Sequence, residues 1–142
     1  MKPSRLFIDT WGWLVLADQR DPSHPAAVAE RRKRTLRASL VTTDYVLDET
    51  LTHVFSRCAF SVARQFGDAI VEAQASGLLS VEPITPARFR SAYRMRLRYH
   101  DKPTISFTDF TSFVVMKELD IRAALTADAH FAQVQIGFRL RP

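Results

Sequence analysis

The stretch that most limits what this chain can become is Leu6-Phe7-Ile8-Asp9-Thr10-Trp11-Gly12-Trp13-Leu14. Leu6 to Ile8 reads as a short strand buried on both faces, because no polar residue interrupts it, and it stops at a carboxylate. A helix-like apolar pattern follows at once, so Thr10 to Ala17 is expected to be a helix. An Asp at the carboxyl end of a buried strand, with a helix starting beside it, stands where open α/β sheets hold their ligands.

The same alternation continues along the chain. Asp-Pro and His-Pro steps end the first helix between Asp18 and Pro25, and Pro25 opens a second, expected from Ala26 to about Ser39. Leu40 to Thr42 reads as a second buried strand, after which Thr43 or Asp44 can cap a helix with an apolar face of Leu47, Leu51, Val54 and Phe55. A further helix, Phe60 to about Ser76, is closed by Gly77 in the left-handed cap position. Leu78 to Pro83 alternates like a strand, and Thr85-Pro86 opens a helix with a hydroxyl cap and proline in the first turn. On that helix Phe89, Tyr93 and Leu97 make an apolar line expected to face the core, beside a parallel line of Arg90, Arg94 and Arg98. Ser106 caps a strongly apolar helix with Asp109 in its first turn; Arg122 to Thr126 is the fourth strand, Asp128 follows it, and an edge strand is expected around Phe138 to Leu140. Strands alternating with helices predict a parallel sheet covered on both faces, in one domain spanning residues 1–142.

Composition narrows the function. An apolar fraction of 46% with 11% aromatics suffices for a core. The one cysteine, Cys58, excludes an internal disulfide and offers no thiolate zinc site, which favours a reducing, cytoplasmic setting. Asp9, Gly12 and Asp18 break the apolar stretch after Lys2 and Arg5, which therefore reads as mature structure and not as a secretory leader, and no run is long enough to span a membrane. The net charge of +5, mostly from arginine, suits contact with phosphate backbones. Arg31, Arg32 and Arg34 on the second helix and Arg90, Arg94 and Arg98 on the fifth are the RNA-binding candidates; their commoner use is as solvated helix faces. Tyr45, Trp11 and Trp13 are candidates for base stacking, a role in competition with the core.

Four carboxylates fall at element junctions: Asp9 and Asp128 after strands, Asp109 in a helix's first turn, and Glu49 on the helix after the second strand. Taken singly, each has an ordinary use as a cap or a solvated charge. If the first and fourth strands are neighbours where strand order reverses, all four reach one crevice. Carboxylates gathered there repel one another unless a cation sits among them, and a donor set of oxygens without Cys or His suits magnesium or manganese.

Four segments carry a resemblance to a known family. Phe7-Ile8-Asp9-Thr10, then Thr42-Thr43-Asp44-Tyr45-Val46-Leu47-Asp48-Glu49-Thr50, then Ser106-Phe107-Thr108-Asp109, and Leu125-Thr126-Ala127-Asp128-Ala129-His130-Phe131 resemble the acidic motifs of PIN-domain ribonucleases, most closely the VapC-type toxins of toxin-antitoxin pairs. The resemblance spans essentially the whole chain. It implies a sheet in the order 3-2-1-4-5 and a magnesium- or manganese-dependent endoribonuclease leaving a 5′-phosphate and a 3′-hydroxyl. It also implies a homodimer inhibited by a small antitoxin whose extended segment covers the cleft. Asp9, Glu49, Asp109 and Asp128 fall on the family's acidic positions; Asp44 and Asp48 compete with Glu49, and the family's pattern selects Glu49. Asp9 and Asp109 are then the principal metal ligands. The small hydroxyl residue that many relatives carry two positions after the first Asp is replaced by Trp11, leaving Thr10 as a substitute, while Thr108 matches the family's hydroxyl before the third acid.

Two other strand-end aspartate designs fit less well. Dehalogenase-like phosphotransfer domains need a second Asp where this chain has Trp11, and receiver-like domains need paired acids and a late lysine, neither of which is evident. From a different class, a catalytically silent PIN-fold module that binds RNA or a partner is the alternative.

Overall fold

The computed structural model describes residues 5–127 and the strand Arg139–Arg141. Its elements run β1 (Leu6–Ile8), α1 (Thr10–Ala17), α2 (His24–Arg32), β2 (Leu40–Thr43), α3 (Asp44–Arg57), α4 (Phe60–Ala75), β3 (Leu79–Glu82), α5 (Pro86–Arg98), α6 (Phe107–Glu118), β4 (Ala123–Leu125) and β5 (Arg139–Arg141). The sheet has the order β3-β2-β1-β4-β5, and each pair is parallel. The chain thus steps outward from β1 to β3 and then returns to the other side of β1, so strand order reverses between β1 and β4. Every residue of β1, β2 and β4 is buried, and since successive side chains point to opposite faces, both faces of the sheet centre are covered.

The reversal is built around close approach. A side-chain carbon on Gly12 would lie 2.5 Å from the Leu125 carbonyl oxygen, so α1 packs against the backbone of β4 at a position only glycine fits. At the next residue, the Trp13 indole N–H donates to the Thr42 hydroxyl, which donates in turn to the Ile8 carbonyl, tying α1, β2 and β1 together. Trp13 is therefore core, with its ring edge-on to Phe66. Gly77, at φ +83°, closes α4 as its sequence position predicts.

Three expectations about helix faces and ends are corrected. The helix expected to run to Ser39 stops at Arg32, because the Arg34 guanidinium turns back onto the Glu30 carbonyl and carboxylate, and the amide of Arg34 bonds the Arg31 carbonyl. Burial alone would raise the Glu30 pKa, but hydrogen bonds from Arg34 and Lys33 outweigh it and hold the carboxyl below its ordinary range. Phe55 on α3 is exposed, and the line of Phe89, Tyr93 and Leu97 on α5 points to solvent at 44%, 51% and 55% exposure. α5 instead turns Ala92 and Met95 inward, flanked by Arg88 and Arg96. Arg96 donates to the carbonyls of Lys102, Ile105 and Tyr99 and lies 4.9 Å from the Phe110 ring centre. Arg88 is held between Glu82 and Glu118; burial works against its charge, but the two carboxylates raise its pKa.

Candidate active site

Asp9 follows β1 directly and begins α1, whose Gly12 amide donates to the Asp9 Oδ1 at 2.8 Å. The carboxylate is 5% exposed, fixed by the free amide of a helix start. Asp109 is placed by the same device on another element: the Ser106 hydroxyl accepts from the Asp109 amide at 3.0 Å and so anchors the first turn of α6. Thr43 caps α3 by accepting from Val46, which sets the helix that carries Glu49.

These three elements converge. Asp9, Glu49 and Asp109 line one cleft of about 370 Å³, together with Thr10, Trp11, Ser106, Thr108 and Ser112. The expected gathering of Asp9, Glu49, Asp109, Thr10 and Thr108 is thus present in the structure, and Trp11 sits at the cleft wall. Asp128 lies outside the described residues. Asp44 turns away: its carboxylate accepts from the Tyr45 and Ile84 amides, bracing α3 against the end of β3. Asp48 lies beside Glu49 in an adjoining groove.

The donor set suits a hard cation. The lining offers carboxylate and hydroxyl oxygens with no sulfur or imidazole. Among the described residues no three acidic, His or Cys side chains form a ready-made metal cluster.

The arginine candidates are not at the cleft. Arg34 is 5% exposed and committed to Glu30, which removes it as an RNA contact. Arg31, Arg32 and Arg37 line a separate depression with Ser76 and Leu78. The backbone bonds Leu6 to Ser39 and Leu40 to Leu78 put that depression at the amino edge of the sheet, opposite the acids. Arg94 and Arg98 face a third cavity with Val114 and Lys117, over the half of α6 remote from Asp109, and Arg90 is exposed. Sequence reasoning missed Arg57, a guanidinium that does border the site region through the groove it shares with Glu49 and Thr108. Its spacing, two turns after Glu49 on one helix, was the available signal.

A parallel sheet in this order with acids gathered at the reversal defines a class of protein. The model of the PIN domain matches residues 6–137, and the chain belongs to the PIN-domain family. Its relatives include the 23S rRNA-specific endonuclease VapC20 of Mycobacterium tuberculosis, in strains CDC 1551 / Oshkosh and ATCC 25618 / H37Rv. Each is 31% identical over 127 residues, 89% of this chain and 92% of the relative. The crystal structure of Mycobacterium tuberculosis VapC20, described as a sarcin-ricin loop cleaving toxin, superimposes with a TM-score of 0.79 at 29% identity, covering 96% of this chain and 99% of that one. VapBC2 from Rickettsia felis, solved bound to a DNA fragment from its promoter, has the same fold with a TM-score of 0.68 at 11% identity, over 95% of this chain and 96% of that one.

Proposed function

We propose that this chain is a divalent-metal-dependent endoribonuclease and the toxin of a toxin-antitoxin pair, acting on ribosomal RNA. One observation carries the reading: Asp9, Glu49 and Asp109, from three separate elements, line a single hydroxyl-rich cleft in a PIN domain. The identity to an rRNA endonuclease supports the substrate class.

Asp9 and Asp109 would be the principal ligands for magnesium or manganese, with Glu49 and the sequence-predicted Asp128 as further ligands, directly or through water. When bound, such an ion stabilises charge on the phosphoryl oxygens and makes water a better nucleophile. The chain's own part is positional. The Gly12 amide fixes the Asp9 carboxylate, and the Ser106 cap fixes the first turn of α6 that carries Asp109, so both acids are presented to the cleft from helix starts. Glu49, more exposed on α3, accepts a proton from the attacking water, and the Thr108 hydroxyl orients that water. In the cell the partners of this reading are a small antitoxin protein and a second copy of the chain, in the cytoplasm.

The test compares wild type and Asp9→Asn on 23S rRNA and on a stem-loop fragment of it, with magnesium, with manganese and with chelator. Cleavage is expected only for wild type with metal. Equal cleavage in every arm marks a contaminant and removes the enzyme; RNA binding without any cleavage favours the silent module.

A further inference from the structure

The acid cleft does not end at Glu49 and Thr108. Both residues also line a second groove of about 580 Å³ that runs along α3 from Tyr45 past His53 to Arg57. Positions 45, 49, 53 and 57 recur every four residues, so they share one face of the helix. From Glu49 to Arg57 this face extends about 12 Å at the helical rise of about 1.5 Å per residue.

The groove's chemistry is that of a single-stranded nucleic acid path. It carries no aliphatic side chain; its lining is the Tyr45 ring, the Asp48 and Glu49 carboxylates, hydroxyls from Thr52, Ser56 and Thr108, the His53 imidazole and the Arg57 guanidinium. Aromatic faces stack unpaired bases, hydroxyls meet ribose and phosphate, and guanidinium grips phosphate. Among the residues lining cleft and groove, Arg57 bears the one fixed positive charge. It makes no ion pair among the described residues and is exposed. A polyanion approaching three carboxylates needs compensating charge nearby, and the arginines of α2 and α5 lie on other surfaces.

We infer that the α3 groove holds the RNA strand on one side of the scissile bond, with Tyr45 stacking a base and Arg57 and His53 holding phosphates. This rests on the nuclease reading and adds to it a requirement for substrate length. A peptide segment of a protein partner is the competing occupant; the absence of aliphatic side chains from the lining disfavours it.

The experiment uses the full chain with single-stranded RNA oligonucleotides lengthened stepwise from a minimal cleavable core on either side. Lengthening on one side should lower KM for wild type, and Arg57→Gln and Tyr45→Ala should each abolish that gain, raising KM at least fivefold on long substrates. Their kcat, and their KM on the core, should stay at the wild-type value. Arg57→Lys and Tyr45→Phe should restore most of the gain. Variants that match wild type on long RNA, or that lose equally on the core, overturn the proposal. So does loss of binding to a protein partner's peptide with RNA affinity unchanged. Fluorescence anisotropy in the Asp9→Asn background separates the two readings. If wild type cuts nothing, weaker RNA binding by Asp9→Asn/Arg57→Gln than by Asp9→Asn sustains the groove while the nuclease falls, and equal binding overturns the groove as well.

Discussion

Asp9 serves two masters, and substitutions can separate them. As the first residue of α1's cap it accepts the Gly12 amide, a role asparagine also fills. As a metal ligand it needs its charge. Asp9→Asn is therefore expected to abolish cleavage with the unfolding free energy nearly unchanged, whereas Asp9→Ala loses cleavage and about 1 kcal/mol of stability, measured by chemical denaturation. Glu30 gives the pH counterpart. Its carboxyl titrates below its ordinary 4.5, so it stabilises the fold above that value, and the contribution is lost as pH falls through the lowered pKa. A Glu30→Gln variant should show a flatter stability profile below about pH 4.5 than wild type, while Arg34→Met should destabilise at neutral pH by leaving Glu30 without its main partner.

Among elements, α1 is where the fold and the site meet. Because its Gly12 touches the β4 backbone, Gly12→Ala must push α1 away from the sheet or shift β4, at a cost of about 1–3 kcal/mol. Thermal and denaturant unfolding measure that cost, and an unchanged midpoint would show that α1 has room it does not have here. The alternation of elements and the positions of Asp9 and Asp109 at element junctions were legible in the sequence, since buried strands end abruptly on polar residues and the caps are Ser, Thr or Asp; Glu49 was singled out from Asp44 and Asp48 by the family resemblance alone. The inward face of α5 was not. Two stripes on that helix were compatible with burial, and the one that packs carries Arg88 and Arg96, whose stems lie against the core while their heads reach carboxylates and carbonyls. An apolarity count discards such residues. The end of α2 was hidden for a related reason: Arg34 reads as one more helical charge until its bond to Glu30 is seen.

At the scale of the whole molecule, among the described residues, the arginines of α2 and α5 lie away from the acids, and Arg57 is the exception. In the proposed homodimer, the exposed line of Phe89, Tyr93 and Leu97 is the surface expected to meet the second copy. Tyr93→Glu combined with Leu97→Glu, neither of which is buried, should leave the circular dichroism spectrum intact and halve the mass seen by light scattering. A wild-type protein already monomeric at micromolar concentration removes that part of the reading.

The caps of α1, α3 and α6 carry a consequence for the protein's life between substrates. Each helix start at the cleft is tied off by the chain's own oxygens, from Asp9, Thr43 and Ser106, and none of these bonds awaits an ion. Chelation should accordingly silence cleavage while the circular dichroism spectrum and cooperative melting of the folded protein persist. On the proposed metal-dependent reading, such a molecule stays dormant for as long as a cation is withheld or its entrance is blocked, and rearming it demands only that an ion arrive, with no refolding step to slow the response.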